Sequence, residues 1–226
     1  MKTIQQQLLE LTLQLQASGL NAGSSGNCSI RDRDGFYITP SGLNPKAMSI
    51  DDMVFMDFKG TIQSAQNPKR EPSSEWRFHH DILKSRKDVN VVIHTHSTFA
   101  TTLSLFRKDI PAFHYMIAVA GGNSIRCSPY ELFGTQALSE AALKALIERK
   151  ACLLANHGMI VIGRDIEEAL NITHEVERLS EQYTYALQIG SPVILSDKEM
   201  DEVIQRFKSY GNWNKIAITV KTFDAL

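Results

Sequence analysis

The 226 residues are enough for one substantial hydrophobic core, and 43% hydrophobic with 22% charged residues is ordinary for a water-soluble globular chain. With 24 basic and 25 acidic residues well mixed and a net charge of −1, there is no electrostatic footprint for nucleic acid and no polybasic segment for a membrane surface. Three scattered cysteines (Cys28, Cys127, Cys152) outside any Cys-x-x-Cys pattern fit a reduced, cytoplasmic setting; the start has no apolar signal core and no stretch approaches transmembrane length.

The chain opens with Ile4, Leu8, Leu11 and Leu15 at helical spacing, and Gly19 is the expected stop. Residues 21–29 are small, polar and glycine-rich; such a loop connects elements, and its N–H groups can also approach an anion closely. Ile30 to Arg33 and Phe36 to Thr39 read as a hairpin turning at Asp34-Gly35, closed by Pro40-Ser41-Gly42. Val54-Phe55-Met56 and Thr61-Ile62-Gln63 are further short strands. Pro72-Ser73-Ser74-Glu75 opens a helix running to about Arg86. A serine there caps the helix, or the same N–H groups and macrodipole attract an anion beside the Glu75 carboxylate. His79 and His80, further along, are read as structural or interfacial and not as ligands.

Val91-Val92-Ile93-His94-Thr95-His96 is a β-branched run ending in two histidines on one face of a strand, with Thr95 opposite. Such a pair is compatible with solvated or core histidines, and a metal needs further ligands. The pattern predicts a helix over 97–106, an extended segment over 110–116, a turn at Gly121-Gly122-Asn123 and a strand at Ile125-Arg126-Cys127. Thr135 caps a helix carrying Leu138, Ala142, Ala145 and Leu146. A buried strand over 151–155 then ends in Asn156-His157-Gly158, where His157 is a candidate third ligand and the glycine permits a sharp turn. A strand over 159–162 and a long amphipathic helix over 166–187 follow, with His174 in packing or at the surface. Ser196 with Glu199 forms a capping box, and Leu195 with Met200 a hydrophobic staple, for a last helix ending at Gly211; an extended tail over 213–226 follows.

These elements predict a single layered α/β/α domain over residues 1–226 with a mixed, mostly antiparallel central sheet. Gly-x-Gly-x-x-Gly, Gly-Lys-Ser/Thr and Gly-x-Ser-x-Gly motifs are all absent, which disfavours dinucleotide, nucleotide and serine-hydrolase chemistry. His94, His96 and His157 with Glu75 make a three-histidine set with a nearby carboxylate, the donor set of catalytic zinc. Asn27, Ser41-Gly42 and Ser73-Ser74 are small polar turns suited to a phosphate pocket without lysine. A metal, a phosphate pocket and a carboxylate base suit a sugar phosphate whose carbonyl is polarised while a proton moves.

The chain resembles the class II aldolase/adducin family, and within it the branch of L-fuculose-phosphate aldolase and related deoxyketose-1-phosphate aldolases. The matching segments are Gly26-Asn27-Cys28-Ser29, Ile38-Thr39-Pro40-Ser41-Gly42, Pro72-Ser73-Ser74-Glu75-Trp76-Arg77-Phe78-His79, His94-Thr95-His96 and Asn156-His157-Gly158. His114-Tyr115-Met116-Ile117-Ala118, Ala120-Gly121-Gly122-Asn123, Phe133-Gly134-Thr135 and Phe207-Lys208-Ser209-Tyr210-Gly211 extend the likeness over almost the whole chain.

The resemblance implies one Zn²⁺ per subunit on His94, His96 and His157, with Co²⁺ or Mn²⁺ as substitutes and Glu75 as a fourth ligand that swings off to act as acid/base. It implies phosphate binding by Asn27, Ser41, Gly42, Ser73 and Ser74. Tyr115, from a neighbouring subunit of a homotetramer, would take the C4 hydroxyl proton, while Tyr210 and Phe133 would line the aldehyde side. The implied reaction is reversible cleavage of a ketose 1-phosphate (L-fuculose 1-phosphate, or 5-deoxyribulose or 5-methylthioribulose 1-phosphate) to dihydroxyacetone phosphate and a small aldehyde. The family also holds pentulose-phosphate 4-epimerases, sugar-phosphate dehydratases and non-catalytic adducin-like scaffolds. Epimerases generally carry aspartate at the position of Glu75, and a scaffold would be expected to lose ligands, so the aldolase reading leads. Asn156, where these aldolases often carry histidine, and the tail around Trp213 depart from the pattern on the expected aldehyde side.

Overall fold

The computed structural model describes residues 2–65 and 69–209. Among them are eight strands: β1 (Asn27–Asp32), β2 (Gly35–Ile38), β3 (Val54–Asp57), β4 (Ile62–Ala65), β5 (Val91–Thr95), β6 (Arg126–Ser128), β7 (Ala151–Leu154) and β8 (Gly158–Gly163). Six α-helices accompany them: α1 (Ile4–Ala17), α2 (Trp76–Ser85), α3 (Thr98–Ser104), α4 (Gln136–Ala145), α5 (Ile166–Ile189) and α6 (Asp197–Ser209). The strands form one sheet in the order β4-β3-β2-β1-β5-β8-β7-β6. Every neighbouring pair is antiparallel except β6 with β7, so the sheet is mixed and mostly antiparallel as predicted.

Side-chain alternation builds the layers. Val92, Cys152, Leu154, Ile160 and Ile162 face α2 and α4, which contribute Phe78, Ile82 and Leu83, and Leu138 and Ala142. Their neighbours Ala151, Leu153, Met159 and Val161 face the opposite way, into a core with α3 and α5. Cys28, Ile30, Val91 and Ile93 on that second face pack on Leu8, Leu11 and Leu15 of α1. Burial of each large side chain is worth about 1.5–3 kcal/mol, so two covered faces explain why β7 and β8 are apolar throughout. No helix among the described residues is long and apolar enough to cross a membrane.

The expected caps are present. Thr135 accepts from the Leu138 N–H at the head of α4, and Ser196 and Glu199 cap α6 reciprocally. Three expectations need correction. The β1–β2 turn sits at Arg33-Asp34, because Asp32 pairs with Gly35 and Arg33 takes the positive φ of 45°. Gly35 is required for close packing instead, since a Cβ there would strike the Met56 carbonyl on β3. The stretch expected to be extended through residue 116 turns into a 3₁₀ helix at Tyr115–Ala120, where His114 Nδ1 accepts from the Met116 N–H.

Candidate metal centre

The registers of three strands bring the histidines together. Cα pairing sets Asn27 beside His94 and His94 beside Ile160, so β1, β5 and β8 lie side by side in the middle of the sheet. His94 shares the face of Val92, toward α2, and the Phe78 ring meets it edge-on at 5.5 Å. β5 stops at Thr95, and His96 follows just beyond it. His157 sits in the short β7–β8 connection, whose tightness falls on Asn156, with φ of 55°, and not on Gly158. Gly158 is needed for another reason: a Cβ there would fall against the Thr95 carbonyl and lie 3.1 Å from His96 Cδ2. The glycine therefore lets β8 approach the end of β5, which corrects the sharp-turn role expected from sequence.

Glu75 occupies the N-cap position of α2 without making a capping bond, and neither serine before it caps the helix. Ser73 Oγ instead accepts from the Glu75 N–H at 3.3 Å. The Glu75 side chain is directed at the histidines, with Oε2 3.3 Å from His94 Nε2 and Oε1 3.3 Å from His157 Nε2. His94 and His96 approach to 2.9 Å between Nε2 atoms, and the three imidazole centroids are 4.8 to 4.9 Å apart. The four donor atoms lie within 4.8 Å of one another.

Several properties fit a cation. His94 Nδ1 donates to the Met159 carbonyl at 2.9 Å, leaving its Nε2 lone pair for the cluster. Burial pushes His96 and His157 down to about 4, helped by His94, so both are neutral imidazoles at neutral pH, the form that ligates metal. Burial alone would raise the Glu75 carboxyl; His94, His157 and the Asn27 amide outweigh it and hold the carboxyl well below the usual carboxylate range. Glu75 Oε1 is buried and makes no hydrogen bond, an unmet acceptor that a metal ion would satisfy. Cys28 and Cys152 are buried thiols; burial pushes Cys28 up to about 12 and Cys152 well above the usual thiol range, far from any ligating thiolate role.

The cluster opens into a cavity of about 360 Å³. Asn27, Ser41, Gly42, Ser73 and Ser74 all line it, as do Glu75, His96, His157 and Phe133. The Ser41 and Ser73 turns adjoin because their backbones are strapped together: Ser41 N donates to Glu71 O, and Ser73 N to Thr39 O, both at 3.0 Å. The Phe133 loop is pinned to α2 by Arg77, which donates to the Gly134 carbonyl at 2.6 Å. Tyr115 is half exposed and lines a different groove with Met116, Glu199, Val203 and Phe207. Tyr210 and the tail after it lie outside the described residues.

Sequence reasoning missed several contributors. Ser24, Ser25, Tyr130 and Glu131 also line the cavity, as does Asn156, expected near the aldehyde side. Asn21 accepts from the His96 N–H at 3.2 Å, and its side chain fills the space where a Cβ on Gly26 would lie. Glu177 of α5 caps α3 directly after His96, accepting from Ser97 Oγ (2.7 Å), Phe99 N (2.8 Å) and Ala100 N (2.9 Å). His79, taken as structural, is bonded to Asn27. Only the Gly26-Asn27 dipeptide and the i, i+4 spacing of Glu75 and His79 could have hinted at any of this.

Comparison with known proteins agrees with this architecture. The family model described as class II aldolase and adducin N-terminal domain matches residues 6–184. A 5-methylthioribulose-1-phosphate/5-deoxyribulose-1-phosphate aldolase of Rhodospirillum rubrum is 50% identical over 91% of this chain and 91% of its own length. An L-fuculose phosphate aldolase of Escherichia coli is 45% identical over 91% and 94%. A solved L-fuculose 1-phosphate aldolase superposes with a TM-score of 0.86 at 39% identity, covering 91% of this chain and 96% of that one. The cluster of three histidines and a glutamate thus sits in a chain that belongs to the class II aldolase and adducin family.

Proposed function

We propose that this chain is a class II aldolase that reversibly cleaves a ketose 1-phosphate to dihydroxyacetone phosphate and a small, uncharged aldehyde. The observation that carries this is Glu75 and three convergent histidines at the base of a cavity whose far wall is small and polar. Relatives named for L-fuculose 1-phosphate and for 5-deoxyribulose and 5-methylthioribulose 1-phosphate point to the substrate class. These substrates share a phosphate and a two-oxygen head, and differ in the aldehyde that leaves.

His94, His96 and His157, with Glu75, would hold the metal, which we take to be Zn²⁺. When bound, it supplies Lewis-acid polarisation of the substrate oxygens. Asn27, Ser41, Gly42, Ser73 and Ser74 hold the phosphate through backbone N–H groups and hydroxyls, which favour an anion without a lysine. Glu75 moves a proton at C3: it removes one in the condensation direction and returns it in cleavage. Its buried, ionised carboxyl supports that role. Tyr115 would deliver and accept the proton at the C4 hydroxyl. It lines a groove separate from its own cavity, so in this reading it would serve the site of a neighbouring subunit, as in a homotetramer with sites between subunits. Phe133 and Tyr130 form the aldehyde wall, joined by Tyr210 in the same reading. One domain over residues 1–226 and a cytoplasmic setting complete the proposal, supported by the continuous sheet and the free cysteines.

The test is turnover of metal-loaded protein on a panel of ketose 1-phosphates and pentulose 5-phosphates, read by release of dihydroxyacetone phosphate. Release from one or more 1-phosphates is expected. Epimerised pentulose 5-phosphate without any release would replace the aldolase reading with the epimerase one.

A further inference from the structure

Ser29, His79, Asn27 and Glu75 form a continuous line of hydrogen bonds behind the metal cluster. Ser29 Oγ lies 2.8 Å from His79 Nδ1, His79 Nε2 lies 2.5 Å from Asn27 Oδ1, and the Asn27 amide nitrogen donates to Glu75 Oε2 at 2.9 Å. The line has a single consistent polarity. An ionised carboxylate only accepts, so Asn27 presents its NH₂ to Glu75 and its carbonyl oxygen to His79. That oxygen only accepts, so His79 carries its proton on Nε2 and leaves Nδ1 to accept from the Ser29 hydroxyl.

The secondary structure imposes this arrangement. Asn27 and Ser29 are two apart on β1 and share the face toward α2; Glu75 and His79 are four apart on α2 and share one side of the helix. Phe78 stacks on His79 with centroids 4.6 Å apart, and both His79 and Ser29 are fully buried. No solvent competes for these bonds, and burial keeps the His79 ring neutral, pushed down to about 3. Asn27, at the other end, lines the cavity next to Ser41 and Ser73.

We propose that His79 is a positioning residue that fixes the orientation of the Asn27 amide, so that one side chain both holds Glu75 and faces the substrate phosphate. Without the N–H of His79, the Asn27 amide can rotate by half a turn and present its oxygen to the Glu75 carboxylate. One hydrogen bond is then replaced by a repulsion, and both the carboxylate and the phosphate wall lose their fixed geometry. His79 thereby couples phosphate occupancy to the carboxylate that moves the proton at C3; this deepens the aldolase reading and rests on it.

The experiment compares zinc-loaded wild type with His79→Gln, which keeps an N–H for Asn27, and His79→Phe, which keeps a ring without a donor. Three readouts are taken: zinc per chain, binding of inorganic phosphate by calorimetry, and C3 proton exchange of dihydroxyacetone phosphate alongside kcat and KM. His79→Phe is expected to retain one zinc, bind phosphate more weakly and lose about 10- to 100-fold in exchange and kcat, the range for residues that orient a ligand. His79→Gln is expected to recover most of both. Equal losses in the two variants, or unchanged exchange and phosphate binding in His79→Phe, would overturn the proposal. Should His79→Phe fail to fold, nitrogen NMR of the wild-type imidazoles decides: an Nε2–H tautomer with a slowly exchanging proton supports the proposal, and an Nδ1–H tautomer or an imidazolium overturns it. Wild-type protein that binds zinc but neither releases dihydroxyacetone phosphate nor exchanges its protons counts against the aldolase reading alone, and the tautomer and phosphate readouts still decide the case for His79.

Discussion

Gly158 is where a single methyl group should damage both the fold and the metal centre. Its φ is not positive, so backbone strain is not the issue. The added Cβ of Gly158→Ala would overlap the Thr95 carbonyl oxygen, a backbone atom held in the β5–β8 ladder, and lie 3.1 Å from His96 Cδ2. Neither neighbour is the end of a flexible chain, so β8 must move away from β5. Overpacking of this kind costs about 1–3 kcal/mol. At about 2–4 °C per kcal/mol for a chain of this size, the melting temperature should fall by about 2–12 °C. The displacement separates His157 from His94 and His96, so zinc affinity should fall along with stability, read by competition with a chromogenic chelator. Gly190→Ala is the control, because Gly190 has extended backbone (φ 162°) and open space around it. A Gly158→Ala protein that melts and binds zinc like Gly190→Ala would refute the close-approach argument.

Removal of metal by chelation should abolish aldol cleavage, and Zn²⁺, Co²⁺ or Mn²⁺ should restore it; full activity in metal-free protein would exclude a role for the cluster. Glu75→Gln should keep its metal while losing most C3 proton exchange of dihydroxyacetone phosphate, about 100- to 10,000-fold for loss of a general base, and an unchanged exchange rate would remove Glu75 from that role. Tyr115→Phe should slow cleavage far more than exchange, measured on the same two assays, and equal losses would count against it. For metal-free protein, His79, His96 and His157 have folded-state values near 3, 4 and 4 against 6.5 when unfolded. The unfolded chain therefore binds more protons below pH 6.5, and stability should decline as pH falls from 6.5 toward 4. Urea midpoints across that range check this, and His79→Gln should flatten the slope.

Much of this was legible because it depends on short-range periodicity. The continuous apolar runs over 151–154 and 159–162 follow from a sheet covered on both faces, and the caps at Thr135 and Ser196 follow from orphan N–H groups at helix starts. The metal set was legible for a similar reason: His94, His96 and His157 each end or follow an apolar strand, and the ends of neighbouring central strands meet. What stayed hidden depends on registers that no local pattern encodes. The need for glycine at position 158 comes from β5, whose end is more than sixty residues away in the sequence. The role of His79 depends on β1 placing Asn27 and Ser29 opposite α2, and the holding of the His96 backbone depends on Asn21 from the loop before β1.

The same distinction explains why the aldehyde side was the least legible part. Asn156 stands where the resemblance leads one to expect histidine, and both residue types tolerate the left-handed backbone that the β7–β8 connection imposes there. The difference lies in the side chain. Arg107 Nε donates to Asn156 Oδ1 at 2.6 Å, and the Arg107 guanidinium lies over the Tyr130 ring, 5.4 Å from its centroid. Asn156 and Tyr130 both line the cavity, so Arg107, which is not among its lining residues, ties two pieces of the wall together. With its oxygen engaged by Arg107, Asn156 has only its amide N–H groups to offer the cavity, and the Tyr130 and Phe133 rings supply apolar surface beside it. In the aldolase reading, the Asn156 amide and the two rings suit an aldehyde with an apolar end, a feature shared by the aldehydes of all three candidate ketose 1-phosphates.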